Sequence, residues 1–223
     1  TCDWLDRNLE DSKRSDAWWW RENLSKIRGI AKSLSYGDAH FISKYARELG
    51  VGMDIDDAGK VLLHKDSIKN LEEALSKKHG GNALIVGAEG SGRNTIIKTL
   101  AKMIDQGNCY SEIEYKRVFE FDNTILKSLD SVDFVNTLNL CFKEAIQAKN
   151  IILVINDFDS IFETAQKEGA DAFQILERYS THEDVSLVCI CSQLFYQNET
   201  HKNIFDNNFE IIHIGDIDSK LLI

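Results

Sequence analysis

The sequence predicts an α/β protein: a largely parallel sheet of about five strands with helices on both faces. Three observations carry that prediction. Short unbroken apolar runs alternate with longer stretches of helical periodicity, as expected of strands buried on both faces. A glycine-rich turn, "GAEGSGRNT" (87–95), lies between the apolar run "NALIV" and the helix-like "IIKTLAKMI". A second apolar run, "NIILVI", ends in the polar, acid-bearing "NDFD".

Taken in order, residues 1–50 read as amphipathic helical material of mixed charge, and all four tryptophans fall within residues 1–20, three of them consecutive in "AWWWREN". Two readings of those rings stand: they pack on the body of the same chain, or they dock on a partner or a lipid interface. The Gly- and Asp-rich "GVGMDIDDAGK" is a connector. It divides a helical N-terminal segment, 1–52, from an α/β unit, 53–223. "KDSIKNLEEALSKKH" then places apolar residues at 68, 71, 74 and 75 on one helix face. Five strands follow, at 83–87, 117–121, 151–157, 185–192 and 209–214, with "NTIIKTLAKMID", "SVDFVNTLNLCFKEAIQAK" and "DAFQILERYST" as helices between them.

Composition narrows the function classes. Charged residues are 28% and hydrophobic ones 43% of 223 residues, ordinary values for a globular chain with one main core. Twenty-six basic against 36 acidic residues give a net charge of −10, which argues against a nucleic-acid partner, because duplex binding needs a basic surface. Apolar runs such as "IILVI" fall far short of the roughly 20 residues a membrane-spanning helix requires. The cysteines at 2, 109, 141, 189 and 191 lack paired C-x-x-C spacing and read as reduced cytosolic thiols. Proline is absent, where average usage predicts roughly eleven; nothing in the sequence explains that.

A loop of the form G-x-x-x-x-G-K-[ST] holds phosphate because its backbone N–H groups turn inward and the following helix presents its positive end; the lysine meets the β- and γ-phosphates and the hydroxyl ligates magnesium. Gly87, Gly90 and Gly92 preserve the backbone part, and Ser91 lies among them. Arg93 keeps a positive charge but carries a bulkier planar head than lysine. Asn94 is a poor stand-in for the hydroxyl, and Thr95 lies about 100° further round the helix. These residues, 87 and 90–95, form the candidate site for ATP or ADP; the alternative is a strand-to-helix turn with no ligand.

In "NIILVINDFDSIF" the apolar run ends where a Walker B strand carries an aspartate for magnesium and a second carboxylate to orient water. Asn156 takes the first position and Asp157 the second, so Asp157 is the one candidate magnesium ligand, with Asp159 nearby.

With both motifs in place, and helix, strand and long helix between them, the chain resembles the first ATPase module of the Clp-type AAA+ unfoldases, the ClpA, ClpB and ClpC group. The resemblance runs from about residue 55 to 217 through "GKVLLHKDSIKNLEEAL", "NALIVGAEGSGRNTIIKTLAKMIDQGN", "VDFVNTLNLCFKEAIQAKNIILVINDFDSIF", "SLVCICSQLFY" and "IFDNNFEIIHIGDIDS". It implies the large α/β subdomain of a P-loop NTPase, nucleotide as cofactor, a homo-oligomeric ring, a polypeptide substrate or Clp-type partner, and a cytoplasmic setting. It also implies that the helical lid of the pocket lies beyond "IGDIDSKLLI".

Departures from the family pattern weigh as much as the matches. Arg93 and Asn94 stand for lysine and threonine, and Asn156 and Asp157 for an Asp-Glu pair. Asp130, in "SLDS", or its neighbour replaces the substrate-gripping tyrosine, and Asn207 and Asn208 replace the paired arginines that reach a neighbouring subunit. Ser192 or Gln193 matches the sensor position; a strand-end hydroxyl satisfied by backbone is the alternative for Ser192. His64 matches a family glycine near the base, where it would narrow the adenine pocket, or it is a surface histidine; His182, His201 and His213 lack nucleophile or metal spacing. The resemblance therefore implies a degenerate module with weak or lost ATP hydrolysis; an active ATPase with substituted parts and an interaction domain without nucleotide are the alternatives.

Overall fold

The computed structural model describes residues 39–50, 64–77, 81–167, 169 and 171–215. The tryptophans, and the rest of the expected N-terminal segment before residue 39, lie outside them.

Six strands form one sheet: β1 (Ala46–Leu49), β2 (Ala83–Val86), β3 (Arg117–Phe121), β4 (Ile151–Ile155), β5 (Ser186–Cys191) and β6 (Glu210–His213). Their order across the sheet is β1-β3-β4-β5-β2-β6, parallel throughout except for β1, which pairs antiparallel with β3. Nine helices are described: α1 (Ile42–Tyr45), α2 (Lys65–Leu75), α3 (Arg93–Gln106), α4 (Asn123–Ser128), α5 (Ser131–Ala148), α6 (Phe158–Lys167), α7 (Ala172–Ser180), α8 (Gln193–Tyr196) and α9 (Glu199–Asn208).

Strand alternation explains the two-sided core. Successive side chains of a strand point to opposite faces; in β4, Ile151, Leu153 and Ile155 join one apolar cluster, with α5, α6 and α7, while Ile152 and Val154 join the other, with α2 and α3. Both faces are thus covered, which is why the strands read as continuous apolar runs. Cys141, Cys189 and Cys191 are buried free thiols, and burial pushes the Cys141 and Cys191 thiols up to about 12.

Strand β1 corrects the helical reading of residues up to 50. Its "AREL" shows no apolar run, and it forms because tertiary partners hold it: Arg117 donates to both Glu48 carboxylate oxygens at 2.9–3.0 Å, and Arg47 donates to Glu120 Oε2. Ahead of it, the Glu144 carboxylate accepts the backbone N–H groups of Phe41 and Ile42 at 2.9 and 2.6 Å, holding the entry to α1 against α5.

Asn82 locks the opposite end of the sheet. It is 1% exposed. Its Nδ2 donates to the carbonyls of Ser180 at 2.7 Å and Asn208 at 3.3 Å, and its Oδ1 accepts from Leu187 N–H at 3.0 Å, so one side chain ties the ends of α7 and α9 to β5. Asn82→Ala leaves a buried N–H and a buried carbonyl without partners and is expected to cost about 2–3 kcal/mol. A urea unfolding midpoint that fails to move overturns this.

Candidate functional site

The chain reverses direction in the sheet at β2. From β2 it crosses three positions to β3, returns through β4 and β5, and passes over β2 to β6. A crevice outside the carboxyl ends of the strands is expected at such a switch point, and the glycine loop opens there, directly after β2. Gly87 N–H bonds to the Cys191 carbonyl at 3.3 Å, fastening the loop to the end of β5. Gly90 and Gly92 take left-handed φ values of 80° and 89°, so both positions demand glycine. A Cβ on Gly87 would come within 2.8 Å of Ser91 Oγ, and one on Gly92 would collide with the His64 ring.

Helix α3 starts at Arg93 with Gly92 as its cap residue and no side chain capping its first turn. The Thr95 N–H turns back to the Gly92 carbonyl at 2.9 Å, and with no side-chain cap the helix's positive end faces the loop. Ser91 Oγ is buried there with no hydrogen-bond partner. Arg93 is 9% exposed and lies close enough to Cys191 to pull its thiol down, opposing burial and Asp159. Asn94 is exposed and Thr95 half-buried. An uncapped helix start, glycines where Cβ atoms do not fit, an orphaned hydroxyl and a buried guanidinium suit a phosphate-bearing ligand.

A magnesium site fits the described residues poorly. The Asn156 side chain is turned back: Oδ1 accepts the Asp157 N–H at 3.0 Å and Nδ2 donates to Glu120 Oε1 at 3.2 Å. Glu120 also holds Arg47, so the first Walker B position belongs to a lateral Arg47–Glu120–Asn156 network. Asp157 is exposed, with a left-handed φ of 45°. Asp159, the third acid, accepts Ser192 N–H at 3.1 Å. Among the described residues no group of three or more His, Cys, Asp or Glu side chains is arranged to hold a metal ion.

The sensor and finger positions are equally explicit. Ser192 Oγ accepts from Phe195 N–H at 3.3 Å and caps α8, the backbone-satisfied alternative for that hydroxyl; Gln193 is exposed. Asn207 and Asn208 end α9 beside Asn82, at the amino-terminal edge of the sheet, away from the loop. Asp130, where the gripping aromatic would stand, accepts Asp133 N–H at 2.8 Å and caps α5. His64 is no surface histidine: it is 5% exposed, and its Nε2 has no hydrogen-bond partner. The only sign of this in the sequence is its place just ahead of α2; the contact with Gly92 is purely tertiary.

No family model matches the chain. Curated sequences do. The chain is 27% identical over 187 residues, 78% of its length, to the chaperone protein ClpB of Wolinella succinogenes, and 27% identical over 139 residues to the negative regulator of genetic competence ClpC/MecB of Bacillus subtilis. Among solved structures, the S. cerevisiae Hsp104–ADP complex superposes with a TM-score of 0.66 at 18% identity over 81% of the chain. The resemblance is to the Clp-type AAA+ proteins, in sequence and in fold. A closed-state reconstruction of Hsp104 with ATPγS and FITC casein gives the same TM-score at 17% identity. The Clp-like chain spans 22% of the Wolinella ClpB sequence and 31% of the Hsp104 chain.

Proposed function

We propose that the chain is the nucleotide-binding module of a Clp-like protein unfoldase or protease regulatory subunit, one that holds ATP or ADP with weak or lost hydrolysis. Its role is then in assembling or regulating a homo-oligomeric ring acting on polypeptide in the cytoplasm. The observation that carries the reading is the contrast between two halves of one site. The phosphate loop keeps its backbone geometry, its uncapped helix and a buried cation. Against the metal-binding half stands the Asn156 amide, which is engaged by the Glu120 carboxylate and the Asp157 N–H.

Such a site binds nucleotide without help from magnesium. In calorimetric titrations of the full-length protein, the ADP dissociation constant is expected to change less than about threefold between magnesium and EDTA, since no carboxylate is poised on the ion. Absence of ADP binding, or a loss of more than about tenfold in EDTA, overturns the reading.

A further inference from the structure

We propose that His64 is a ligand-contacting residue of the glycine loop, its Nε2–H donating to a phosphate oxygen of the bound nucleotide beside Arg93. The proposal rests on the nucleotide-binding reading above and names a contact that the loop motif does not contain.

The imidazole edge lies directly on the loop. A Cβ built on Gly92 would collide with Nε2 and come within 3.1 Å of Cδ2 and 3.3 Å of Cε1. Gly92 is thereby required twice, by its φ of 89° and by this close approach. His64 is 5% exposed in that position, and its buried Nε2 has no hydrogen-bond partner. Buried polar atoms are rarely left so, because desolvation without a partner is costly. Ser91 Oγ, one residue before Gly92, is a second orphan. Two chain segments thus bring unsatisfied polar atoms to the uncapped start of a 14-residue helix.

One ligand chemistry satisfies all of these groups. The helix N–H groups, the Ser91 hydroxyl, the His64 imidazole and the Arg93 guanidinium are all hydrogen-bond donors, so the complement is an acceptor-rich anion. An apolar molecule leaves them unpaired, and a cation meets the positive helix end and Arg93.

Charge adds a signature. The charged groups on the elements that meet there are Lys65, Asp66, Lys69, Glu72 and Glu73 on α2, Glu89 on the loop, and Arg93, Lys98, Lys102 and Asp105 on α3. Burial lowers the His64 pKa below its ordinary 6.5, which leaves the ring neutral at pH 7 without ligand. A phosphate dianion at Nε2 favours the imidazolium instead. Binding therefore draws a proton onto His64, and nucleotide affinity rises from pH 8 to pH 6.

The test is calorimetric titration of ADP and of inorganic tripolyphosphate into full-length wild type, His64→Gln and His64→Ala at pH 6 and pH 8, with thermal melts as a folding check. His64→Ala is expected to weaken both ligands by about tenfold or more at pH 6. His64→Gln, which keeps a donor, is expected to stay within a few-fold at pH 8 and to lack the gain at pH 6. Unchanged or tighter binding to a folded His64→Ala overturns the proposal and leaves the nucleotide reading standing. If His64→Ala does not fold, the glutamine variant decides: a pH dependence equal to wild type overturns it. Failure of wild type to bind either ligand overturns both.

Discussion

Phosphate release from ATP by the full-length wild-type protein, at saturating ATP and magnesium, is expected to be at least about 10³-fold slower than by a variant carrying Asn94→Thr, Asn156→Asp, Glu120→Gln and Asn207→Arg. On the proposed ring reading, with residue 207 reaching a neighbouring subunit, charge supplied there is alone worth about 10³ to 10⁵ in phosphoryl-transfer rate, and an amide cannot supply it. The metal-binding substitutions have to come with Glu120→Gln. A carboxylate at 156 would stand where Asn156 Nδ2 now lies 3.2 Å from Glu120 Oε1, two like charges sharing the single Arg47 cation. Asn156→Asp by itself is therefore expected to lower stability without raising turnover. Asp157 is left unchanged because its φ of 45° suits aspartate better than glutamate. Brisk wild-type turnover that Asp157→Ala abolishes would falsify this account of the site.

Phe158→Ala is expected to destabilise the fold by about 3–5 kcal/mol, a large share of the ~5–15 kcal/mol that holds a typical domain together. Phe158 opens α6 immediately after Asp157 and is 2% exposed. The rings of Phe173, Phe195 and Phe205 meet it edge-on at 5.8 Å, and Phe162 lies 6.2 Å away. One side chain thus joins α6, α7, α8 and α9 on a single face of the sheet. Truncation opens a cavity lined by rigid rings that relax little. Phe158→Leu keeps most of the volume and should cost less than about 1.5 kcal/mol. Denaturant unfolding reads both; an alanine midpoint close to that of wild type contradicts the packing argument.

The glycine-rich turn between β2 and α3 was legible because its geometry is written in local chemistry: glycines at 87, 90 and 92 between an apolar run and a helical period suffice to place it. The same holds for the central strands, whose apolar runs are long relative to their length. The Phe158 cluster is different. Its five rings are scattered from 158 to 205, and only the docking of four helices on one sheet face brings them together. The substitutions at 94, 156 and 157 could be read as departures, but the engagement of Asn156 by Glu120 depends on β3 pairing with β4 in the register that sets Glu120 opposite Val154.

By itself, the sequence determined the order of the five strands from β2 onward with α3, α5 and α7 among them, the two-sided burial of the sheet and the position of the glycine turn, while α4, α6, α8 and α9 were not read from it. Each feature it determined follows from periodicity and turn chemistry within a dozen neighbouring residues. Only the tertiary structure decided that "AREL" is an antiparallel edge strand, that Asn82 bolts three elements together, and that His64 lies buried against Gly92. Ion pairs, buried amide contacts and a ring pressed on a glycine join residues far apart in the chain, and no local pattern encodes which distant partner will arrive.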